Sequence, residues 1–201
     1  LYRESTSRYR IPRFYGVDTF GSPQLNKLKD GIDIDISFKG TLKNSLQQNE
    51  ACETVISILY TKGGCILSLP TGYGKTTCAL YILSELKTKT LIIVHKEFLL
   101  NQWVERIQGF IPEATIGIIR QNKVDTQGKD IVIAMLQSLA MKEYDPNIFN
   151  GFGLTIIDET EHVCSKVFAN ALFINSTKYM LGWSATPERK DGLTKVLHWF
   201  M

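Results

Sequence analysis

From about position 46 onward, short apolar runs alternate with segments whose apolar residues recur every three or four positions. Uninterrupted apolar runs are typical of strands buried on both faces, and the wider spacing is typical of helices that bury one side. The runs predict strands at Cys65–Leu69, Leu91–Val94, Ile116–Ile119, Ile131–Ala134, Leu154–Ile157 and Tyr179–Trp183. The spaced pattern predicts helices over Gln48–Tyr60, Lys75–Leu86 and Phe98–Phe110. This alternation favours an α/β fold: a mainly parallel sheet with helices on both faces.

Residues 1–40 show no sustained period, and they are rich in Arg, Tyr, Gly, Pro and Asp. We interpret them as an N-terminal extension over a domain that spans residues 41–201. Arginines and tyrosines interleave near the start, a pattern that can hold a nucleic-acid backbone and stack bases, but a solvated surface extension is the preferred interpretation and we place no site there. At the other end, residues 193–200 predict a packing helix that faces a second domain outside this chain.

Composition sets wide bounds on function. The 201 residues, 44% of them hydrophobic, suffice for one sizeable core, and a net charge of +3 permits nucleic-acid binding without being the charge pattern of a protein that binds by charge alone. The four cysteines are scattered and predict reduced thiols.

Since no apolar run approaches the ~20 residues of a membrane span, we expect a soluble, intracellular protein with no membrane partner. Because the sequence begins with Leu1 rather than a methionine and stops directly after an amphipathic run, we also expect both ends to be cuts in a longer protein.

The segment between the first predicted strand and its helix has the features of a phosphate-binding loop. Small residues at Gly72 and Gly74 let backbone N–H groups curl around phosphate oxygens, and the start of the next helix adds its unpaired donors. Lys75 is expected to contact the β- and γ-phosphates, and Thr76 to ligate Mg²⁺. Leu69 replaces the first glycine of the general pattern, so an ordinary strand-to-helix turn is the alternative. The full predicted set for ATP comprises Thr71, Gly72, Tyr73, Gly74, Lys75, Thr76 and Thr77.

A second candidate site is the pair of adjacent carboxylates that ends the apolar strand at Leu154–Ile157. The carboxyl ends of strands in open α/β folds are where ligands bind. Mg²⁺ prefers oxygen ligands beside phosphates, which suits Asp158, and hydrolysis needs a carboxylate to orient or deprotonate water, which suits Glu159. With Lys75, these two residues form the predicted catalytic set.

Together these segments resemble superfamily 2 helicases over most of the chain, from about Leu42 to the C-terminus. The loop Thr71–Thr76 is similar to motif I, Asp158–Glu161 to the DExx box, and Ser184–Pro187 to motif III. Weaker similarities are Val94–Lys96 with Gln102–Trp103 to motif Ia, and Ile131–Leu139 to motif Ic. Within the superfamily, the chain most resembles a branch found in large cytoplasmic DNA viruses, such as poxvirus transcript-release helicases and their counterpart in African swine fever virus.

The resemblance implies roles for further residues. Glu161, Ser184 and Thr186 would couple hydrolysis to movement; Lys96, Gln137 and Ser138 would contact nucleic acid; and a glutamine upstream of motif I would read adenine. Gln48 fits the last role better than Gln47, although the register leaves both open. Trp103 is expected in the core rather than stacked on a base.

Two departures bear on these roles. Glu161 stands where relatives usually carry His or Asp, which affects coupling more than hydrolysis, and Met135 replaces a backbone-contacting Thr.

The resemblance further implies a RecA-like P-loop fold, a partner second RecA-like domain in the same protein, and ATP-driven movement on DNA or RNA with Mg²⁺. The viral branch implies a place in the host cytoplasm or the virion, with transcription machinery as a partner. Two alternatives stay open: a translocase that moves on duplex without separating strands, and a clamp that grips nucleic acid when ATP binds and seldom hydrolyses it.

Overall fold

Most of the strands form one sheet. A computed structural model describes residues 2–160, 171–174, 177–184 and 194–201, within which the sheet has seven strands in the order β3-β9-β8-β4-β7-β5-β6. A two-stranded hairpin, β1 with β2, lies apart from it. In chain order the strands are β1 (Arg3–Ser5), β2 (Arg8–Arg10), β3 (Gly64–Ser68), β4 (Thr90–Val94), β5 (Ile116–Arg120), β6 (Lys123–Val124), β7 (Ile131–Met135), β8 (Leu154–Ile157) and β9 (Tyr179–Ser184).

All neighbouring strands of the large sheet pair in parallel except β6, which is antiparallel to β5. The helices in chain order are α1 (Arg13–Phe20), α2 (Gln48–Lys62), α3 (Lys75–Leu86), α4 (Glu97–Phe110), α5 (Leu136–Met141) and α6 (Thr194–Phe200), and residues 171–174 are also helical. The carboxyl ends of six parallel strands therefore lie along one edge of the sheet.

Alternate residues of the buried strands enter two different cores. In β4, Ile92 and Val94 pack in a core with α2, α3 and α4, while Leu91 and Ile93 pack in another core with α5 and α6. A strand that is buried on both faces has no polar side, which explains the continuous apolar runs in the sequence. The predicted α/β fold with helices on both faces is confirmed.

The first 40 residues show no hydrophobic period in the sequence, yet they include the strands β1 and β2 and the helix α1. The Arg13 guanidinium donates hydrogen bonds to the backbone oxygens of Gly63 (2.9 Å), Thr177 (2.9 Å) and Lys178 (3.0 Å). Burial lowers the pKa of Arg13 to about 10. Further along, Ile34 and Ile36 are buried in the core with α2, α3 and α4. These contacts tie the segment to the body of the domain.

The C-terminal helix was predicted correctly, but its packing was not. Instead of leaving its apolar side for a second domain, α6 buries Val196, Leu197 and Phe200 in the core on its own side of the sheet. Its Trp199 ring also meets Tyr15 of α1 edge-on, with the ring centres 5.4 Å apart. The apolar spacing that predicted the helix does not say which surface the helix covers.

The described cysteines agree with the prediction of reduced thiols: Cys52 and Cys78 are buried, Cys65 is half-buried, and all three are free. Cys164 lies outside the described residues.

Candidate active site

The phosphate loop connects β3 to α3, and its shape depends on two glycines. Gly72 and Gly74 have φ values of +84° and +93°, in the region that other residues rarely adopt. A Cβ at Gly74 would lie 2.7 Å from the side-chain nitrogen of Gln48. The loop therefore requires glycine at position 74 for backbone conformation and for space. The N–H groups in the first turn of α3 have no intrahelical partners, which makes this end of the helix suited to an anion.

A cleft of about 600 Å³ brings the two predicted motifs together. The predicted residues that line it are Gln48, Thr71, Gly72, Tyr73, Gly74, Lys75, Thr76, Thr77, Asp158 and Glu159. These residues come from α2, the phosphate loop, α3 and the end of β8, so the fold alone brings them into one space. The predicted lining residues have the chemistry of a nucleotide site: backbone donors, one lysine and two carboxylates.

Several lining residues were missed by the sequence analysis: Thr41, Lys43, Leu99, Gln102, Arg106 and Phe110. Gln102 and Arg106 are exposed and stand four positions apart on α4, which places them on the same side of the helix. That spacing was visible in the sequence, but nothing in it indicates that this side of α4 meets the phosphate loop.

The two candidate glutamines lie in different surroundings. Gln48 is 2% exposed, and its side chain accepts a hydrogen bond from the Lys43 N–H (2.8 Å) and donates one to the Tyr73 carbonyl (2.5 Å). Gln47 is exposed and precedes α2 with a φ of +51°. The geometry thus places Gln48, and not Gln47, in the cleft.

Asp158 is held by a tryptophan from α4. The indole N–H of Trp103 donates a hydrogen bond to Asp158 Oδ2 at 2.9 Å, and Trp103 itself is 1% exposed. Trp103 therefore belongs to the core, as predicted. Burial raises the pKa of Asp158, the neighbouring Glu159 raises it further, and the bond from Trp103 and the charge of Lys75 oppose the rise. The indole hydrogen bond to Asp158 was not predicted.

Glu159 follows Asp158 in an unusual backbone conformation, with a φ of +54°. Its side chain is 38% exposed, and its Oε2 atom lies 3.3 Å from Nε2 of His95, which is 8% exposed. His95 comes directly after β4, the strand beside β8. The sequence analysis quoted His95 only as part of motif Ia and gave it no role.

The three predicted nucleic-acid contacts lie at or near the ends of β4 and β7, but in different surroundings. Lys96 is exposed at the start of α4, with its ammonium 5.7 Å from the centre of the Phe98 ring. Gln137 is half-buried and donates a hydrogen bond to the backbone oxygen of His95 at 2.6 Å. Ser138 is 7% exposed, and its hydroxyl accepts a hydrogen bond from the Gln121 N–H at 2.9 Å. Of the three, Lys96 has the most accessible side chain.

The coupling residues can be placed only in part. Ser184 is buried at the end of β9, where its backbone oxygen accepts a hydrogen bond from the Leu69 N–H at the start of the phosphate loop (3.1 Å). Thr160 packs closely on the same strand, because a Cβ on Gly182 would lie 2.6 Å from Thr160 Cγ2. Strand β9 thus contacts both the phosphate loop and the acidic box. Glu161 and Thr186 lie outside the described residues.

The donor set fits Mg²⁺ as part of a metal–phosphate complex. The described residues contain no group of three or more His, Cys, Asp or Glu side chains that could hold a metal ion. The cleft does place the Thr76 hydroxyl and the Asp158 carboxylate beside the phosphate loop, and Mg²⁺ is commonly bound by few protein oxygens together with substrate phosphates. A separate finding is that the described helices include none long and apolar enough to cross a bilayer.

The phosphate loop after β3 and the acidic pair after β8, on a mainly parallel sheet, define a RecA-like ATP-binding domain of the superfamily 2 helicase class. Residues 41–189 match the family described as Type III restriction enzyme, res subunit, and the chain belongs to this family.

The relatives found by sequence are helicases and a translocase by name. A candidate ATP-dependent RNA helicase, L396 of Acanthamoeba polyphaga mimivirus, is 36% identical over 203 residues, which cover 100% of this chain and 38% of the relative. The DNA 3'-5' translocase XPB2 of Sulfurisphaera tokodaii is 37% identical over 140 residues, covering 70% of this chain and 30% of the relative. A candidate ATP-dependent RNA helicase of African swine fever virus, QP509L, is 27% identical over 146 residues, covering 70% of this chain and 28% of the relative. The chain therefore spans about a third of the length of these proteins.

Solved structures support the fold. The SWI2/SNF2 ATPase core domain of Sulfolobus solfataricus superposes with a TM-score of 0.69 at 17% identity, covering 89% of this chain and 37% of that one. The same core in complex with dsDNA gives a TM-score of 0.66, also at 17% identity, covering 87% of this chain and 37% of that one.

Proposed function

We propose that this chain is the ATP-binding motor domain of an ATP-dependent helicase or translocase that moves on nucleic acid. The observation that carries the proposal is the convergence of the phosphate loop, Lys75, Asp158 and Glu159 on one cleft of about 600 Å³. Sequence similarity to a family does not by itself require these groups to line the same cleft.

The residues of the cleft divide the work of hydrolysis. The N–H groups of the loop and of the first turn of α3 bind the phosphates, and the Lys75 ammonium contacts their outer oxygens. Glu159 orients the attacking water and accepts its proton. Mg²⁺ held between Thr76 and Asp158 would supply charge neutralisation for the phosphate oxygens. Gln48, at the start of α2, is the candidate reader of the adenine edge.

A second RecA-like domain completes the proposed motor. The chain spans 38% of its mimivirus relative, which leaves room for such a domain in a protein of that type. In other nucleotide hydrolases an arginine supplied from outside the phosphate loop accelerates hydrolysis by about 10³–10⁵. Ser184 at the end of β9, with Thr186 and Glu161, would pass the state of the nucleotide to that domain.

The proposed track is DNA or RNA, gripped by its backbone. Lys96 and Gln137 follow neighbouring strands at the edge that also carries the cleft, and Ser138 supports the turn beside them. Contacts with the sugar-phosphate backbone carry little sequence information, so nucleic-acid binding should be weakly specific and salt-dependent. The names of the relatives include both an RNA helicase and a DNA translocase. Because several relatives are viral, a role in viral transcription in the host cytoplasm is part of the proposal.

A strand-displacement assay on the full-length protein separates unwinding from movement on duplex alone. Fluorescent duplexes with single-stranded overhangs, in DNA and RNA versions, would be mixed with protein and ATP. Released strands support a helicase. ATP hydrolysis stimulated by duplex without strand release supports the duplex translocase.

A clamp that grips nucleic acid when ATP binds is the second candidate, favoured by Glu161 in the acidic box, where relatives usually carry His or Asp. Full-length protein with Glu159→Gln distinguishes the two functions, since this change keeps the shape of the side chain and removes its charge. Loss of movement on nucleic acid, with nucleotide binding retained, supports the motor. Unchanged function in that variant would favour the clamp and contradict the proposed hydrolytic role of Glu159.

A further inference from the structure

Three neighbouring strand ends meet behind the proposed catalytic carboxylate. Strand β4 lies between β8 and β7 in the sheet, and the residues that matter follow these strands closely: His95 after β4, Glu159 after β8 and Gln137 after β7. Because the strands are parallel, their carboxyl ends are side by side, and residues distant in sequence come into contact. The cluster lies outside the phosphate loop.

His95 connects the other two members of this cluster. Its Nε2 atom lies 3.3 Å from Glu159 Oε2, and its backbone oxygen accepts a hydrogen bond from the Gln137 side chain at 2.6 Å. The imidazole is 8% exposed, so its surroundings restrict its rotation, whereas the Glu159 side chain is 38% exposed and less restricted by packing. A buried ring in contact with a more exposed carboxylate can restrict the directions in which that carboxylate points.

The backbone of Glu159 increases its dependence on such a contact. At a φ of +54°, the residue occupies a conformation that is rare outside glycine and that persists only where neighbouring groups hold it. The His95 imidazole is one group in contact with the carboxylate.

We propose that His95 is a positioning residue that orients the Glu159 carboxylate for water activation and links it to bound nucleic acid; this rests on the proposed function of the chain. The link follows from the neighbours of His95. Lys96 is the next residue and is exposed, and Gln137 comes from the adjacent strand end. A nucleic-acid backbone on this edge acts on the segment that carries the imidazole, and through it on Glu159.

Three substitutions at one position in the full-length protein test the proposal. His95→Ala removes the contact. His95→Gln places an amide nitrogen as many bonds from Cα as Nε2, and can restore it. His95→Asn places its nitrogen at the Nδ1 position, too short to reach. ATP hydrolysis is measured with and without DNA and RNA, together with nucleotide affinity and the thermal midpoint of each variant.

The expected result separates turnover from binding. For His95→Ala, kcat at saturating nucleic acid falls by about tenfold or more, the cost of a misplaced catalytic group. The Kd for ATP stays within about twofold, because the phosphate loop supplies that binding. The ratio of stimulated to unstimulated kcat also falls. His95→Gln recovers most of the loss, and His95→Asn does not.

Two results would overturn the proposal while leaving the motor intact. One is a His95→Ala variant with the kcat and stimulation of the unsubstituted protein. The other is a loss of activity that tracks a lower thermal midpoint equally in all three variants, since that pattern indicates a structural role. If the unsubstituted protein hydrolyses no ATP with any polymer, the proposed function fails and the role of His95 fails with it.

Discussion

At the scale of single residues, the most consequential contact is the hydrogen bond from Trp103 to Asp158. Burial raises the pKa of this carboxyl and so disfavours its ionised form, which is the form that ligates a metal ion. The indole N–H opposes that rise and fixes one of the two carboxylate oxygens. Groups that orient a metal ligand in this way typically change metal affinity by about 10–100-fold.

Trp103→Phe should raise the Mg²⁺ concentration that nucleotide binding requires, because phenylalanine keeps most of the packing and loses the N–H donor. The apparent affinity for Mg²⁺ should fall by about tenfold or more, measured by titrating Mg²⁺ against bound fluorescent ATP. Trp183→Phe is the matched control, since Trp183 is equally buried and its N–H has no hydrogen-bond partner among the described residues. Equal Mg²⁺ dependence in the two variants would contradict the role given to Trp103.

The residues themselves show which parts of the site the sequence could predict. The phosphate loop and the acidic pair are contiguous segments whose chemistry is readable directly, and the structure places both in one cleft. Trp103 was predicted to be buried from its helical spacing, but its partner lies 55 positions away. Contacts such as this one, or that of His95 with Glu159, depend on which strands become neighbours, and local pattern carries no information about strand order.

At the scale of elements, β9 contacts both halves of the site. It pairs with β3, which leads into the phosphate loop, and with β8, which leads into the acidic box. Gly182 lies opposite Ile66 on one side and Ile157 on the other. The absence of a side chain there lets Thr160 approach the strand closely. The spacing of the two motifs across the sheet therefore depends on a residue outside both of them.

Gly182→Ala should lower stability and ATP turnover together. The added Cβ would lie 2.6 Å from Thr160 Cγ2 and 2.7 Å from the sulfur of Met201, and overpacking of this kind costs about 1–3 kcal/mol. Denaturant unfolding and the ATPase rate measure the two effects.

Gly109→Ala is the matched control for that change. Gly109 lies in α4, and its Cβ would meet no atom within 4 Å. Alanine there should stabilise the helix by about 0.5–1 kcal/mol. If Gly182→Ala is as stable and active as Gly109→Ala, the close packing of Thr160 on β9 does not matter for the site.

Among the elements, those with a clear hydrophobic period were predicted and the others were not. Helix α3 has the predicted bounds, and the main parallel strands lie within about one residue of the predicted runs. The antiparallel strand β6 has two residues and the hairpin strands have three each, which is too short for alternation to be recognised. Helix α1 has no fully buried residue. Its sequence accordingly lacks the apolar stripe by which a helix is recognised.

At the scale of the whole molecule, the described site is one side of the proposed motor. The cleft supplies backbone donors for phosphate and two carboxylates, and we propose that arginines from a second domain complete it. The chain covers 38% of the mimivirus relative, which leaves room for such a domain in a protein of that type. In this interpretation the second domain contributes to nucleotide binding as well as to the rate of hydrolysis.

The 201-residue chain by itself should therefore bind ATP weakly and hydrolyse it slowly. An arginine from outside the domain is worth about 10³–10⁵ in rate where it has been measured in other nucleotide hydrolases, so turnover by the isolated chain should be lower than that of the full-length protein by a factor in that range. Steady-state phosphate release and fluorescent-nucleotide binding measure the two properties. Strong nucleic-acid-stimulated hydrolysis by the isolated chain would contradict the need for a second domain.

We propose that the cleft at Lys75, Asp158 and Glu159 drives movement on nucleic acid through ATP hydrolysis. The most direct test measures ATP hydrolysis by the full-length protein with and without single- and double-stranded DNA and RNA, beside a Lys75→Ala variant. We expect stimulation by at least one polymer and its loss in the variant, and the stimulating polymer identifies the track. Nucleotide binding without turnover on any polymer would contradict the motor and support the clamp.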